Sequence, residues 1–206
     1  MAPGHVAYGM RVSFGAAHVT PQHVEAWERG VALPSAGELA ALAGALWCHP
    51  RELMGRPRTL REHRIAQGVA AEDVARETGL SLHAYVRMEE ADQWTGDGRQ
   101  SEKLGRVLRL PPRDFVAVTG LEGELARLLT EAVTTRWQAH VRAIAKLLSM
   151  ERKRLHAPLS AMCQEYQVLM AATLSRAGGT TASGEDGRRY LEEIVDHFWA
   201  RFPEQS

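Results

Sequence analysis

Residues 59–90 read TLREHRIAQGVAAEDVARETGLSLHAYVRMEE, and this stretch decides the fold. From Leu60 to Gln67 the apolar residues recur at helical spacing, and Gly68 ends the run. Ala71 to Thr78 repeats the pattern, and Gly79-Leu80-Ser81 makes a tight turn. Ser81 is placed to cap a third helix that runs to about Glu90. No part of the stretch alternates apolar and polar residues as a half-buried strand does. The reading is two short helices joined by a three-residue turn, preceded by a third helix.

The same pattern occurs earlier in the chain. At an offset of 61, Val19-Thr20 falls on Leu80-Ser81, Val24 on Tyr85, Trp27 on Met88 and Glu28 on Glu89. At an offset of 62, Leu42 meets Leu104, Leu46 meets Leu108, and Pro50-Arg51-Glu52-Leu53 meets Pro112-Arg113-Asp114-Phe115. The slip of one residue falls in ADQWTGDG (91–98), which reads as a loop. One helical unit has been duplicated. In the first copy Thr20 caps a helix with Pro21 in its first turn, Gly30 ends it, and Ser35 with Glu38 forms a capping box for the next. In the second copy Ser101 to Leu110 is a fourth helix, and Pro111-Pro112 opens a fifth. The first copy has no room for an opening helix, and its second helix is expected near Arg11 to Ala17, with Ser13 where Val74 stands in the other copy.

Beyond residue 120 the chain stays helical. Thr119 and Glu122 read as a capping box, and Leu121, Leu125, Leu128, Ala132, Trp137, Val141, Ile144 and Leu148 mark one helix to about His156, stopped by Pro158. Leu159, Met162, Tyr166, Met170 and Leu174 mark a second, AGGTTASGEDG (177–187) reads as a loop, and Tyr190 to Trp199 as a last helix. A helix of about 35 residues needs a partner to cover its stripe, so 121–206 is expected to form a homodimer. A sensing pocket lined by Met150, Met162, Met170 and the aromatics is the alternative, although a methionine stripe is more often core.

Residues 19–53 contain V-x4-V-x2-W-E-R-G-x3-P-S-x3-L-x2-L-A-x2-L-x3-P-x2-L. This resembles the second half of an XRE-type, phage-repressor-like helix-turn-helix domain, and residues 59–90 resemble the first half of the same domain. The resemblance covers about half the chain. It implies an all-α protein with a truncated lambda-repressor-like unit over 1–57, a second over 58–120, and a C-terminal helical dimerisation or sensing region over 121–206. It further implies a sequence-specific double-stranded DNA-binding transcriptional regulator, a repressor, acting as a dimer.

In such domains the third helix enters the major groove with its leading residues. The resemblance therefore points to Thr20, Gln22, His23, Glu25 and Arg29 in the first copy, and to Ser81, Leu82, His83 and Arg87 in the second. Gln22 suits adenine, Arg87 guanine or phosphate, and Leu82 a thymine methyl. Phosphate contacts need local positive charge. Arg51, Arg56, Arg58, Arg61 and Arg64 outnumber Glu52 and Glu62 between the copies, and Arg58, Arg61 and Arg64 are the candidate backbone contacts; a solvated linker is the plainer reading. Val24, Trp27, Tyr85 and Met88 read as core.

Composition sets limits. Of 206 residues, 45% are hydrophobic, and 25 basic residues balance 25 acidic ones, so no polybasic tail drives binding. Cys48 and Cys163 are too few for a disulfide framework or a cysteine-only zinc site. The longest apolar run, Leu39 to Cys48, is too short to span a bilayer, and the first ten residues do not form a secretory signal. A cytosolic protein is expected, and the resemblance implies association with the nucleoid. No phosphate-cradling loop, His-Glu-x-x-His helix or nucleophile elbow is present, so neither enzyme activity nor cofactor is expected, and the His18, His23 and Glu25 spacing does not suit a metal. A small-molecule effector has no support in the sequence. The rival reading is a protein-interaction module on the same scaffold.

Overall fold

Reciprocal side-chain caps set five helix starts in the first half of the chain, the one at His49 and Glu52 opening a single turn. Thr20 Oγ1 accepts from the His23 N–H at 3.4 Å, and His23 Nδ1 accepts from the Thr20 N–H at 3.3 Å. Ser35 with Glu38, Thr59 with Glu62, and Asp97 with Gln100 repeat the arrangement at 2.7–3.3 Å. Each pair satisfies N–H groups that the first turn of a helix leaves unpaired.

The computed structural model describes residues 1–175 and 183–202, and over these the chain is all-helical, with no strand. The helices are α1 (Pro3–Phe14), α2 (Pro21–Glu28), α3 (Ala36–Leu46), α4 (Pro50–Leu53), α5 (Leu60–Ala66), α6 (Ala71–Thr78), α7 (Leu82–Ala91), α8 (Gly98–Val107), α9 (Pro112–Thr119), α10 (Glu122–Thr134), α11 (Trp137–Leu147), α12 (Arg152–Ser175), α13 (Ser183–Glu192) and α14 (Ile194–Trp199). The chain divides into two compact units, Met1–Leu110 and Pro111–Ser206.

In the first unit, α1, α2 and α3 close around Val6, Ala7, Met10, Ala16, Val19, Val24 and Ala41. The same plan recurs downstream: α6 packs on α7 and α8 as α1 packs on α2 and α3, with α5 added against α7. Val24 and Tyr85 are buried, while Trp27 and Met88 are half-buried.

The first copy departs from its expected register. α1 begins at Pro3 and stops at Phe14, where Gly15 adopts φ 68°, so Ala16 and Ala17 lie outside it. Its buried Val6, Ala7 and Met10 take the places of Val74, Ala75 and Thr78, an offset of 68 rather than 61. Ser13 is exposed, and its mismatch with Val74 disappears in the new register. The link from α1 to α2 therefore spans six residues, Gly15 to Thr20. The link from α6 to α7 spans three, Gly79 to Ser81, and Gly79 takes φ 78°. Two smaller shifts occur in the second copy. α8 starts at Gly98 behind Asp97, ahead of Ser101. The 91–98 loop is pinned: buried Trp94 donates from Nε1 to Ser101 Oγ at 2.8 Å.

The second unit replaces the expected long helix with three. α10 ends at Thr134, where the Thr134 hydroxyl donates to Thr130 O at 2.7 Å and the Thr135 hydroxyl to Glu131 O at 2.5 Å. Such hydroxyls compete with the backbone ladder. α11 ends at Leu147, and Ser149 takes φ 50°. Thr119 caps nothing, because it closes α9 and donates to Phe115 O, while α10 starts from Leu121 with no side-chain cap. Pro158 lies inside α12 rather than stopping a helix. Leu155, Leu159 and Met162 around it are fully buried, worth about 1.5–3 kcal/mol each, against about 3 kcal/mol for an interior proline.

The 121–156 stripe is covered within the unit: Leu125, Leu128, Ala132, Val141, Ile144 and Leu148 are buried as α10, α11 and α12 pack on one another, and α13 and α14 join them. The premise that 121–156 leaves a stripe needing a second chain does not hold. Of the 177–187 loop, residues 177–182 lie outside the described residues, and 183–187 are helical in α13. Gly187 in α13 is buried close to α12, with Met170 Sδ 3.1 Å from where a Cβ would sit. The expected last helix is two, α13 and α14, divided at Glu193.

Candidate nucleic-acid interface

α7 is held from behind. Tyr85 and Glu89 are four residues apart and so share one face of the helix, turned inward. Arg64 of α5 reaches Glu89 with two bonds, Nε to Oε1 at 2.5 Å and Nη2 to Oε2 at 3.0 Å, and its Nη1 donates to Val69 O at 3.0 Å. The Tyr85 hydroxyl donates to Glu89 Oε1 at 2.6 Å. The Arg64 and Glu89 side chains are only 13% and 6% exposed. The bond to Glu89 pushes the Arg64 pKa up, and burial, with Glu89 beside it, pushes the Tyr85 hydroxyl far up. At the other end of α7, Asp92 adopts φ 46° and its Oδ1 accepts from the Leu60 N–H at 2.9 Å. These ties fix α7 on α5 and leave its outer face free to present.

The leading residues of that outer face are exposed. Ser81 caps α7, its Oγ accepting from the Ala84 N–H at 3.2 Å, and Leu82, His83 and Arg87 follow on the solvent side. Leu82 is 42% exposed, high for an aliphatic residue on a short helix. Arg87 also borders a shallow cavity of about 320 Å³ with Ala84, Met88, Ala91, Gln93 and Thr95.

The first-copy candidates are exposed as well. Gln22 and Glu25 on α2, and Arg29 just past its end, face solvent. Thr20 and His23 are engaged in their mutual cap, and the His23 ring stacks on Trp27 at 6.3 Å. Because His23 Nδ1 accepts the Thr20 N–H, the cap uses the ring with its proton on Nε2. Arg29 folds back, Nε donating to Glu25 O at 3.2 Å. The charge on this edge is mixed, with Glu25 and Glu28 beside Arg29.

Of the three candidate phosphate contacts, Arg58 and Arg61 are exposed at the start of α5. Arg64 is not available in the same way, since its guanidinium points inward to Glu89. Glu89 and Asp92 were not among the sequence candidates, although a glutamate four residues after a core tyrosine signals a buried charge that needs a partner.

The methionines expected to line a sensing pocket do not gather in one. Met162 is fully buried, Met150 is half-buried and Met170 is 39% exposed. A cavity of about 490 Å³ in the same unit is lined instead by Ala161, Gln164, Glu165, Val168, Leu169 and Tyr190. There the Tyr190 hydroxyl donates to Met162 O at 3.3 Å and Glu165 Oε2 at 3.2 Å, and burial pushes it up to about 12. Among the described residues, no three histidine, cysteine or acidic side chains gather to hold a metal ion, and no helix is long and apolar enough to cross a membrane.

No family model, curated protein or solved structure matches this chain.

Proposed function

We propose that the protein is a sequence-specific double-stranded DNA-binding transcriptional regulator of the XRE helix-turn-helix type, in which α7 reads the duplex. One observation carries the reading: a short tight turn, Gly79-Leu80-Ser81, leads into a helix clamped from behind by Arg64–Glu89 and exposed along Leu82, His83 and Arg87. A helix held on one face with polar and methyl-reading groups on the other suits the major groove. Ser81 at the helix start, with Arg58 and Arg61, supplies the phosphate contacts. α2 is the weaker reader, because its turn is longer and its edge carries Glu25 and Glu28.

Repression by occluding a promoter is the form of regulation that the resemblance implies. In this reading a dimer forms through 121–206 at the face of α12 around Val168 and Met170, which are 68% and 39% exposed. Sedimentation at micromolar concentration is expected to show two chains, and a monomer there removes the dimer.

Selection from random duplex oligonucleotides, followed by gel shift, tests the DNA reading. Arg87→Ala is expected to weaken the selected site by roughly 5–150-fold, the loss of one good base contact of about 1–3 kcal/mol. Affinity is expected to fall between 50 and 200 mM salt as counterions are released. An unchanged affinity across that range, or no selected duplex at all, removes the proposal.

A further inference from the structure

The two copies differ in what covers the flank of their third helix. On α7 that flank is occupied by α5, whose Leu60 is 1% exposed and whose Arg64 neutralises Glu89. The matching flank of α2 bears the same acid, Glu28, 61 residues before Glu89, and left-handed Gly30, which stands where left-handed Asp92 receives Leu60, has no side chain to do so. Among the described residues α1 alone packs on α2 as closely as α5 packs on α7, and α1 holds the place of α6 rather than that of α5. The flank is correspondingly bare. Glu28 is exposed, against 8% for Glu89, and Val31 and Leu33 are 76% and 89% exposed beside half-buried Trp27. Two exposed aliphatic side chains within five residues of an exposed carboxylate give this flank the composition of an apolar and acidic seat.

We propose that this seat on α2 docks an amphipathic helix of a partner protein that carries an aliphatic residue and an arginine four positions apart. The chain's own second copy gives the chemistry of the occupant. α5 fills the equivalent seat with Leu60 and Arg64, one turn apart on the same face, the aliphatic group covering apolar surface and the guanidinium forking onto the carboxylate. In the first copy Val31 and Leu33 add apolar area, and Glu28 supplies the matching charge. Helix-in-groove docking of this kind uses anchors at i and i+4.

The chain's α5 sequence serves as the probe: a peptide of residues 57–69, PRTLREHRIAQGV, held helical by a side-chain lactam, since so short a helix is marginal in water. It is titrated into the full-length ¹⁵N-labelled protein. The expected result is saturable amide shifts at Trp27, Glu28, Val31 and Leu33. Glu28→Gln in the protein, or Arg64→Met in the peptide, is expected to weaken binding roughly tenfold or more, because either leaves one charge unpaired. Glu28 is exposed, so its variant keeps the fold. Shifts confined to Tyr85, Glu89 and Asp92, no shifts at millimolar peptide, or equal affinity for both variants overturns the proposal. So does a dimer of the protein alone that Glu28→Gln dissociates, which would make a second copy the occupant. None of these readouts depends on DNA binding, so this proposal and the regulator reading stand or fall separately.

Discussion

Glu89 shows how one residue converts sequence into geometry. A carboxylate on the buried face of a helix is stable only when its charge is matched and its oxygens are bonded, and Arg64 and Tyr85 meet both needs. Removing either member leaves the other charge buried. Glu89→Ala or Arg64→Ala is therefore expected to cost about 3–5 kcal/mol in urea unfolding, while Arg64→Met combined with Glu89→Leu costs much less, because no charge is then stranded. A loss for the pair equal to the sum of the singles would show that the residues act independently. Glu38 shows the milder form of the same chemistry. Bonds from Ser35, backbone first, together with His18 at 2.9 Å, hold its carboxyl below the usual value of 4.5. A lowered folded-state value means that this contribution is complete above about pH 4.5 and is lost as pH falls through the lowered value. Glu38→Gln, which removes the titrating carboxyl, is expected to flatten the acid limb of the stability curve in that window, read by thermal melts across pH 3–6.

Among the elements, the turn before α7 and the break after α10 matter most. Gly79 adopts φ 78°, a conformation that costs a residue with a Cβ about 1–2 kcal/mol. Gly79→Ala is expected to lose that much stability in chemical unfolding. A variant as stable as the parent would show that the turn relaxes easily. In the first copy the glycine at the end of α1 is equally left-handed, but five residues separate it from α2, so the same residue type produces a looser connection. In the second unit, Thr134 and Thr135 divide what periodicity alone joins, and Pro158 fails to divide what a proline is expected to. Neighbouring side chains decide both cases: hydroxyls capture carbonyls at the first, and buried Leu155, Leu159 and Met162 outweigh the missing N–H at the second.

The whole molecule is two units: the first holds a cluster of Val6, Met10 and Val24 and, further along, buried Tyr85 and Leu104, and the second buries Leu125, Ile144, Leu159 and Phe198. Fragments 1–110 and 111–206, produced separately, are each expected to melt cooperatively, followed by circular dichroism. A fragment that melts without a transition would show that its core depends on the other. The amino-acid sequence by itself determined the helical class, the caps at Thr20, Ser35 and Ser81, and the outward edge of α7, because caps and 3.6-residue periodicity act within one or two turns. Only the tertiary structure decided the register of α1, the inward turn of Arg64, and the folding of the 121–156 stripe onto itself. Each depends on which distant residue supplies the packing surface or the countercharge, and local spacing carries no record of that.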